Sequence, residues 1–302
     1  MPFTMGVTSS AFKLNLNAPM GCFILSAGQN MAPSHSSGSA GDLVVSYNGI
    51  ATLERGDVLN ITVGAAQTTG TSPTTAQKSQ IVLGKSSETL TYQTAALYGS
   101  TKVYNLDTQT TTTYGFGNTA TVGIELLQGQ YYVDPETGTE DTRVSATLQG
   151  NRPGAPGIGG NGNSGESVWA LTGSGFPTIN FPSYPDGGPG LEDFRGVVVG
   201  QGGAGVLNYS KYTSGIYGGT SYVGSPNSTR AASNYSAENT GRGGTSSVNG
   251  PNSYTTGKGA KGLVQVRYPS TYALLRDSSI AEYTLSNGYH VYTFNTSTSI
   301  EI

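Results

Sequence analysis

Gly257-Lys-Gly-Ala-Lys-Gly-Leu-Val-Gln-Val-Arg-Tyr-Pro269 is the stretch where the chain changes character. A glycine-dense segment runs directly into Leu263–Tyr268, a short run of strong β-formers, and Pro269 stops it. No helix signal comes after it. The chain before this junction reads as glycine-rich β structure leading up to it. The chain after the junction reads as a small closing β unit.

Working backwards, residues 151–262 hold 27 of the 45 glycines, with prolines interspersed. Asn151-Arg-Pro-Gly-Ala-Pro-Gly-Ile-Gly-Gly-Asn-Gly-Asn-Ser-Gly165 cannot build an ordinary apolar core. Such a segment either stays disordered or packs backbone on backbone in polyproline-like strands where only glycine fits. Short strands interrupt it at Ser167–Leu171 and Arg195–Val199.

Residues 1–150 read as strands punctuated by turns. Phe12–Asn17 alternates apolar and polar residues, Ala18-Pro-Met-Gly21 reads as a turn, and Cys22–Leu25 is a fully apolar strand. Further strands are expected at Leu43–Tyr47, Val58–Val63, Gln80–Leu83, Thr89–Gln93, Lys102–Leu106, Thr108–Thr113, Thr121–Leu127, Gln130–Val133 and Arg143–Leu148. Thr94–Tyr98 is the single helix candidate. After the junction, Gly288–Phe294 and Ser299–Ile302 complete the strands. The fold class is therefore all-β. An N-terminal β-sandwich or jelly-roll-like unit (1–150) leads to a glycine-rich, loop-dominated region (151–262) and a short C-terminal β unit (263–302).

Composition bounds the function. Hydrophobic residues make up 35% and charged residues 11%, both low for a globular domain. The balance is glycine, hydroxyl and amide residues with 19 tyrosines. So thin a core points to stabilisation by homo-oligomerisation. The net charge of −3 and the lack of a basic stripe argue against a nucleic-acid partner. Nothing in the sequence suggests membrane insertion. The single cysteine, Cys22, reads as a small buried hydrophobe. The start, Met-Pro-Phe-Thr-Met, has no signal-peptide pattern. Together these traits fit assembly in a cytoplasm and release by lysis, as for a virion part.

The order of motifs resembles the glycine-rich tail fibre and tail adhesin (receptor-binding) proteins of bacteriophages. The resemblance rests on Phe12–Gly21, Cys22–Leu25, Leu43–Tyr47, Asn60–Gly64, Gly257–Pro269, Gly288–Phe294 and Ile300–Ile302, in that order. The loop after Leu25 has fewer glycines than the family pattern, and Gln67–Leu148 is longer and not glycine-rich. The resemblance implies a homotrimer or other homo-oligomer on the virion, in contact with other virion proteins. It also implies that loops of the glycine-rich region read a host surface glycan or outer-membrane protein.

Several motifs have plainer readings. Gly157–Gly162 and Gly257–Gly262 both fit G-x-G-x-x-G, but neither sits between a strand and a helix as a dinucleotide site requires. Arg55-Gly56-Asp57 reads as a hairpin turn rather than an adhesive tripeptide. His35 lies in a Ser/Gly loop, and His290 lies in a strand with Tyr289 and Val291 on the other face. Asp134, Glu136, Glu140 and Asp141 form an acidic turn that is a weak calcium candidate and a weaker catalytic pair. The favoured binding residues are Tyr209, Tyr212, Tyr217, Tyr222, Tyr235 and Tyr254, each flanked by Gly, Ser, Asn or Thr. Antibody loops use the same mixture, and tyrosine rings also stack on sugars. The expected function is a non-catalytic tail fibre or tail-tip adhesin without a cofactor. The alternatives are a virion component without a receptor (a capsid decoration or tail connector) and a polysaccharide-degrading tail spike.

Overall fold

The computed structural model describes residues 17–30, 38–67, 77–95, 99–117, 153–164, 186–209, 238–245, 257–275 and 281–302, with shorter pieces between them. Those pieces are 121–126, 132–133, 140–141, 166–171, 177–183, 220–223, 247–248 and 254–255; for them and for 206–209 the backbone alone is described.

Every regular element among these residues is a strand, which bears out the all-β class. In chain order they are β1 Asn17–Leu25, β2 Leu43–Glu54, β3 Val58–Thr62, β4 Gln80–Gly84, β5 Thr89–Gln93, β6 Ser100–Asn105, β7 Thr110–Gly115 and β8 Thr121–Leu126. The middle contributes β9 Tyr132–Val133, β10 Glu140–Asp141, β11 Glu166–Leu171, β12 Pro177–Ser183, β13 Leu191–Glu192, β14 Val198–Val199, β15 Val206–Tyr209 and β16 Thr220–Val223. Then come β17 Ser247–Val248, β18 Tyr254–Thr255, β19 Leu263–Pro269, β20 Glu282–Ser286, β21 Tyr289–Phe294 and β22 Thr298–Glu301.

The decisive strand sits in the middle of the largest sheet, whose order is β20-β21-β19-β1-β2-β6-β7. A second sheet runs β22-β3-β4-β5. Both sheets therefore join strands from the beginning of the chain to strands from its end. Alternation along β19 assigns its side chains. Val264, Val266 and Tyr268 join Cys22, Ile24, Leu59, Ile61, Ile81, Leu83, Tyr292, Phe294 and Ile300 in one buried cluster between the two sheets. Cys22 is fully buried there, as the sequence suggested. Each such aliphatic or aromatic side chain contributes about 1.5–3 kcal/mol on burial. The phenols of Tyr268 and Tyr292 stay satisfied: Tyr268 donates to Ala273 O at 3.0 Å, and Leu275 N donates to Tyr292 Oη at 3.1 Å.

Three local expectations are corrected. Ala18-Pro-Met-Gly21 is not a turn but the first half of β1, which runs unbroken to Leu25 with a bulge between Met20 and Cys22. Pro19 is tolerated because β19 pairs with β1 only from Gly21 onward, so one side of β1 needs no donor at position 19. Arg55-Gly56-Asp57 is not a hairpin turn, because β2 and β3 belong to different sheets and the tripeptide turns the corner between them. Gly56 takes φ +89° there, and Asp57 is buried, accepting from Glu54 N at 2.9 Å and Lys85 Nζ at 3.2 Å. Thr94 and Ala95 are not helical, and 96–98 lie outside the described residues, as do Phe12–Leu16 and Arg143–Leu148.

The other face of the large sheet carries Phe23, Leu25, Leu43, Val45, Leu263 and Val291. Much of what covers it is backbone. Segments 26–30, 38–42, 154–162, 186–190, 200–204, 241–245 and 257–262 lie side by side outside any sheet and bond to one another. In several of them, donors three residues apart bond to the same neighbouring segment. Ser26 N and Gln29 N donate to Asp42 O and Ser39 O, Ala27 N to Gln77 O, and Gly28 N to Ala260 O. The same interval recurs at Gly38 and Gly41, which donate to Gly244 O and Gly241 O, and at Ala155 and Ile158, which donate to Gly203 O and Gly200 O. Three residues per turn is the polyproline geometry, whose close packing excludes side chains. A Cβ on Gly28, Gly38, Gly187, Gly202, Gly203, Gly243 or Gly257 would run into a neighbouring carbonyl. Of the two conformations open to the glycine-rich sequence, the described segments adopt backbone-on-backbone packing. Both G-x-G-x-x-G matches lie within this lattice, and contacts of this kind account for their glycines.

Candidate functional site

The odd-numbered side chains of β19 form a gradient along the lattice-side face. Leu263 lies under the lattice. Gln265 is fully buried and holds the β13–β14 hairpin. Its Oε1 accepts from Phe194 N at 2.9 Å, and its Nε2 donates to Asp193 Oδ2 at 3.0 Å and Thr293 Oγ1 at 3.1 Å. Arg267, last in the series, is half-buried among aromatic rings. Its guanidinium carbon lies 4.3 Å from the Phe194 ring centre, 4.5 Å from Tyr289 and 5.3 Å from Tyr47. Such contacts are each worth about 0.5–2 kcal/mol.

What brings Tyr47 to this place is an irregularity in β2. Met20 pairs with Ala51 and Cys22 with Ser46, so the single residue Gly21 opposes four on β2, Tyr47–Ile50. Gly49 makes the bend with φ +102°. Bulges of this kind re-aim side chains beside functional sites. One carboxylate fixes the bulge: Asp107 accepts from Ser46 Oγ at 2.5 Å, Tyr47 N at 2.7 Å and Asn48 N at 3.3 Å. On the opposite flank Arg267 Nη2 donates to Tyr47 O at 2.9 Å.

The charges respond to this setting. Burial pushes Asp107 up, but the bonds from Ser46, Tyr47 and Asn48, with the Arg267 charge, outweigh it and hold the carboxyl below its ordinary value. Burial pushes the Tyr47 phenol up. Burial likewise lowers Arg267, which remains a cation. Burial drives the Cys22 thiol up to about 12, so it is a core group and not a nucleophile near neutral pH.

Tyr47 is 40% exposed and packs edge-on to Phe194 with ring centres 5.9 Å apart. On the other side of the bulge a cleft of about 440 Å³ is lined by Asn48, Gly49, Ile50, Tyr92, Leu106 and Asp107. The bulge thus offers an exposed aromatic ring backed by a cation on one flank and a polar cleft on the other. That combination can hold a hydroxylated ligand by stacking and by hydrogen bonds.

The residues favoured from sequence are only partly described. Tyr209 and Tyr222 lie on the paired strands β15 and β16, and Tyr254 lies on β18. Tyr212, Tyr217 and Tyr235 lie outside the described residues. Glu140 and Asp141 pair with Val133 and Tyr132 across β9 and β10, and Asp134 and Glu136 lie outside the described residues. His35 also lies outside them. His290 is a core residue, its Nε2 3.0 Å from Tyr272 O and its Nδ1 2.9 Å from Tyr283 Oη.

No protein-family model, curated protein or solved structure matches the chain.

The sequence alone did not single out Tyr47, Asn48, Asp107, Phe194, Arg267 or Tyr289 as a site. One signal was present: Asn48-Gly49 interrupts an otherwise apolar β run, and Asn-Gly inside a strand pattern marks a turn or bulge.

Proposed function

We propose that this chain is a bacteriophage tail fibre or tail-tip adhesin that binds the host cell surface without catalysis. The observation that carries this reading is the glycine lattice on the large sheet. Its cohesion is largely main-chain hydrogen bonding, with a three-residue repeat in several segments, and it uses no disulfide. A frame of that kind suits a protein that must hold surface residues rigidly outside a cell. The order of sequence motifs gives the phage assignment, and the exposed aromatic bulge gives a surface to bind with. Tyr209, Tyr212, Tyr217, Tyr222, Tyr235 and Tyr254 remain candidate receptor contacts within the same reading. Many weak contacts multiplied over the copies of an oligomer would supply avidity.

The test is immunogold labelling of intact particles with antibody against this chain. Label at the tail tip or fibres is expected. Label over the capsid would replace the adhesin with a structural virion component, and absence of label from every particle would overturn the virion assignment.

A further inference from the structure

The cleft beneath Asn48 continues along β2. Beside it, sharing Ile50, lies a second cleft of about 340 Å³ whose lining includes Thr52, Glu54, Lys85, Ser87, Glu88 and Leu90. The groove exists because β2 is only half covered. β6 pairs with β2 at Leu43–Val45 and nowhere else, so the outer edge of Ile50–Glu54 faces open space. Across it stands β5, the edge strand of the second sheet.

The main-chain groups on that edge can be counted. Ile50 O accepts from Tyr92 Oη at 3.4 Å, and Glu54 N donates to Asp57 Oδ2 at 2.9 Å. Both therefore point away from β1. Alternation along a strand then points the N–H and C=O of Thr52 the same way. Capping of Ile50 O and Glu54 N interrupts the edge against strand addition and leaves the Thr52 N–H and C=O open among the described residues. The edge still provides one donor and one acceptor in the middle of the groove. Asn48 and Ser87 are exposed and add an amide and a hydroxyl. Tyr92, Ile50 and Leu90 supply an apolar floor.

Charge narrows the ligand further. Glu54, Asp57, Glu88 and Asp107 line the groove against one cation, Lys85, which already bonds Glu54 at 3.1 Å and Asp57 at 3.2 Å. The residual negative charge disfavours carboxylated or phosphorylated sugars. We infer that this groove binds an uncharged oligosaccharide, its hydroxyls meeting Asn48, Thr52, Ser87 and Asp107. The inference rests on the adhesin reading and names the ligand class of that surface.

The experiment is calorimetric titration and saturation-transfer NMR of the full chain with neutral gluco-, galacto- and manno-oligosaccharides, and with oligogalacturonate. At least one neutral series should bind, and oligogalacturonate should not. Ser87→Trp, which fills the groove from an exposed turn, should abolish binding. Asn48→Ala should weaken it about fivefold, the worth of one neutral hydrogen bond. Glu88→Lys should admit oligogalacturonate. If no neutral series binds, or if Ser87→Trp leaves binding unchanged, the groove assignment is wrong. Should the purified chain still attach to the bacteria that propagate the particles, that failure concerns the groove alone. Should attachment fail too, the adhesin reading falls with it.

Discussion

Gly21 lies directly opposite Arg267 in the β1–β19 register, and its missing side chain is what makes room for the arginine. A Cβ at Gly21 would sit 2.9 Å from Ser46 O and 3.2 Å from Arg267 Cγ. Gly21→Ala should therefore cost about 1–3 kcal/mol, the range for overpacking a filled site. Urea unfolding would measure it. Part of the cost should vanish in an Arg267→Ala background, because residues in contact are not additive. Equal costs in both backgrounds would mean that the methyl meets only the Ser46 carbonyl.

The lattice makes a stronger prediction about glycine. A Cβ on Gly243 would strike Gly38 O and crowd Gly203 N at 2.9 Å, and neither backbone can yield without breaking Gly203 N→Gly38 O. Gly115, by contrast, has nothing within 4 Å of where its Cβ would be and no positive φ. Gly243→Ala should lose about 3 kcal/mol or more, while Gly115→Ala should be neutral within about 0.5 kcal/mol. Comparable thermal midpoints for the two would contradict the packing account.

These two glycines show how far the sequence could be read. The strands were legible wherever local pattern decided them: the runs Leu263–Tyr268, Gln80–Leu83 and Thr89–Gln93 fall within observed strands. The Ala18–Gly21 segment was misread because Pro and Gly normally end a strand. The escape depends on which neighbours β1 has at Pro19, a non-local fact. The glycine segments were ambiguous for the same reason. Gly38 and Gly244 are bonded partners far apart in the chain, and nothing near either one announces the other. The bulge site was hidden most deeply. Tyr47 meets Arg267 only through the sheet, and Asp107 reaches Ser46 from the far end of β6.

Gln265 links the sheet to the β13–β14 hairpin and offers a third test. Replacing it with Leu leaves Phe194 N and one bond of Asp193 without their partner in a buried place. An unsatisfied buried donor costs about 1–3 kcal/mol. Gln265→Leu should destabilise by that order, although the new side chain is apolar and of similar size. It should also free the hairpin that carries Phe194, which packs on Tyr47. Hydrogen exchange should show faster opening of residues 191–199 with the β1–β2 amides unchanged. Uniformly faster exchange would indicate global destabilisation instead and remove the hairpin from the argument.

The last prediction concerns pH and the bulge. Burial alone would raise Asp107, but its donors from Ser46, Tyr47 and Asn48 and the nearby Arg267 charge bring it below the ordinary carboxylate value. The unfolded chain titrates near the usual value, roughly 3.9. A carboxyl with a depressed folded-state pKa binds fewer protons folded than unfolded, so its stabilisation is fully present above the unfolded value. It is lost as pH falls through the folded one. Asp107→Asn keeps the shape and removes the charge. The stability gap between the natural chain and this variant should be flat from about pH 8 to pH 5 and narrow progressively below about pH 4. Urea midpoints across that range would measure it. A gap that shows no narrowing as pH falls below the unfolded value would show that Asp107 holds the bulge by hydrogen-bond geometry alone, with its charge contributing nothing.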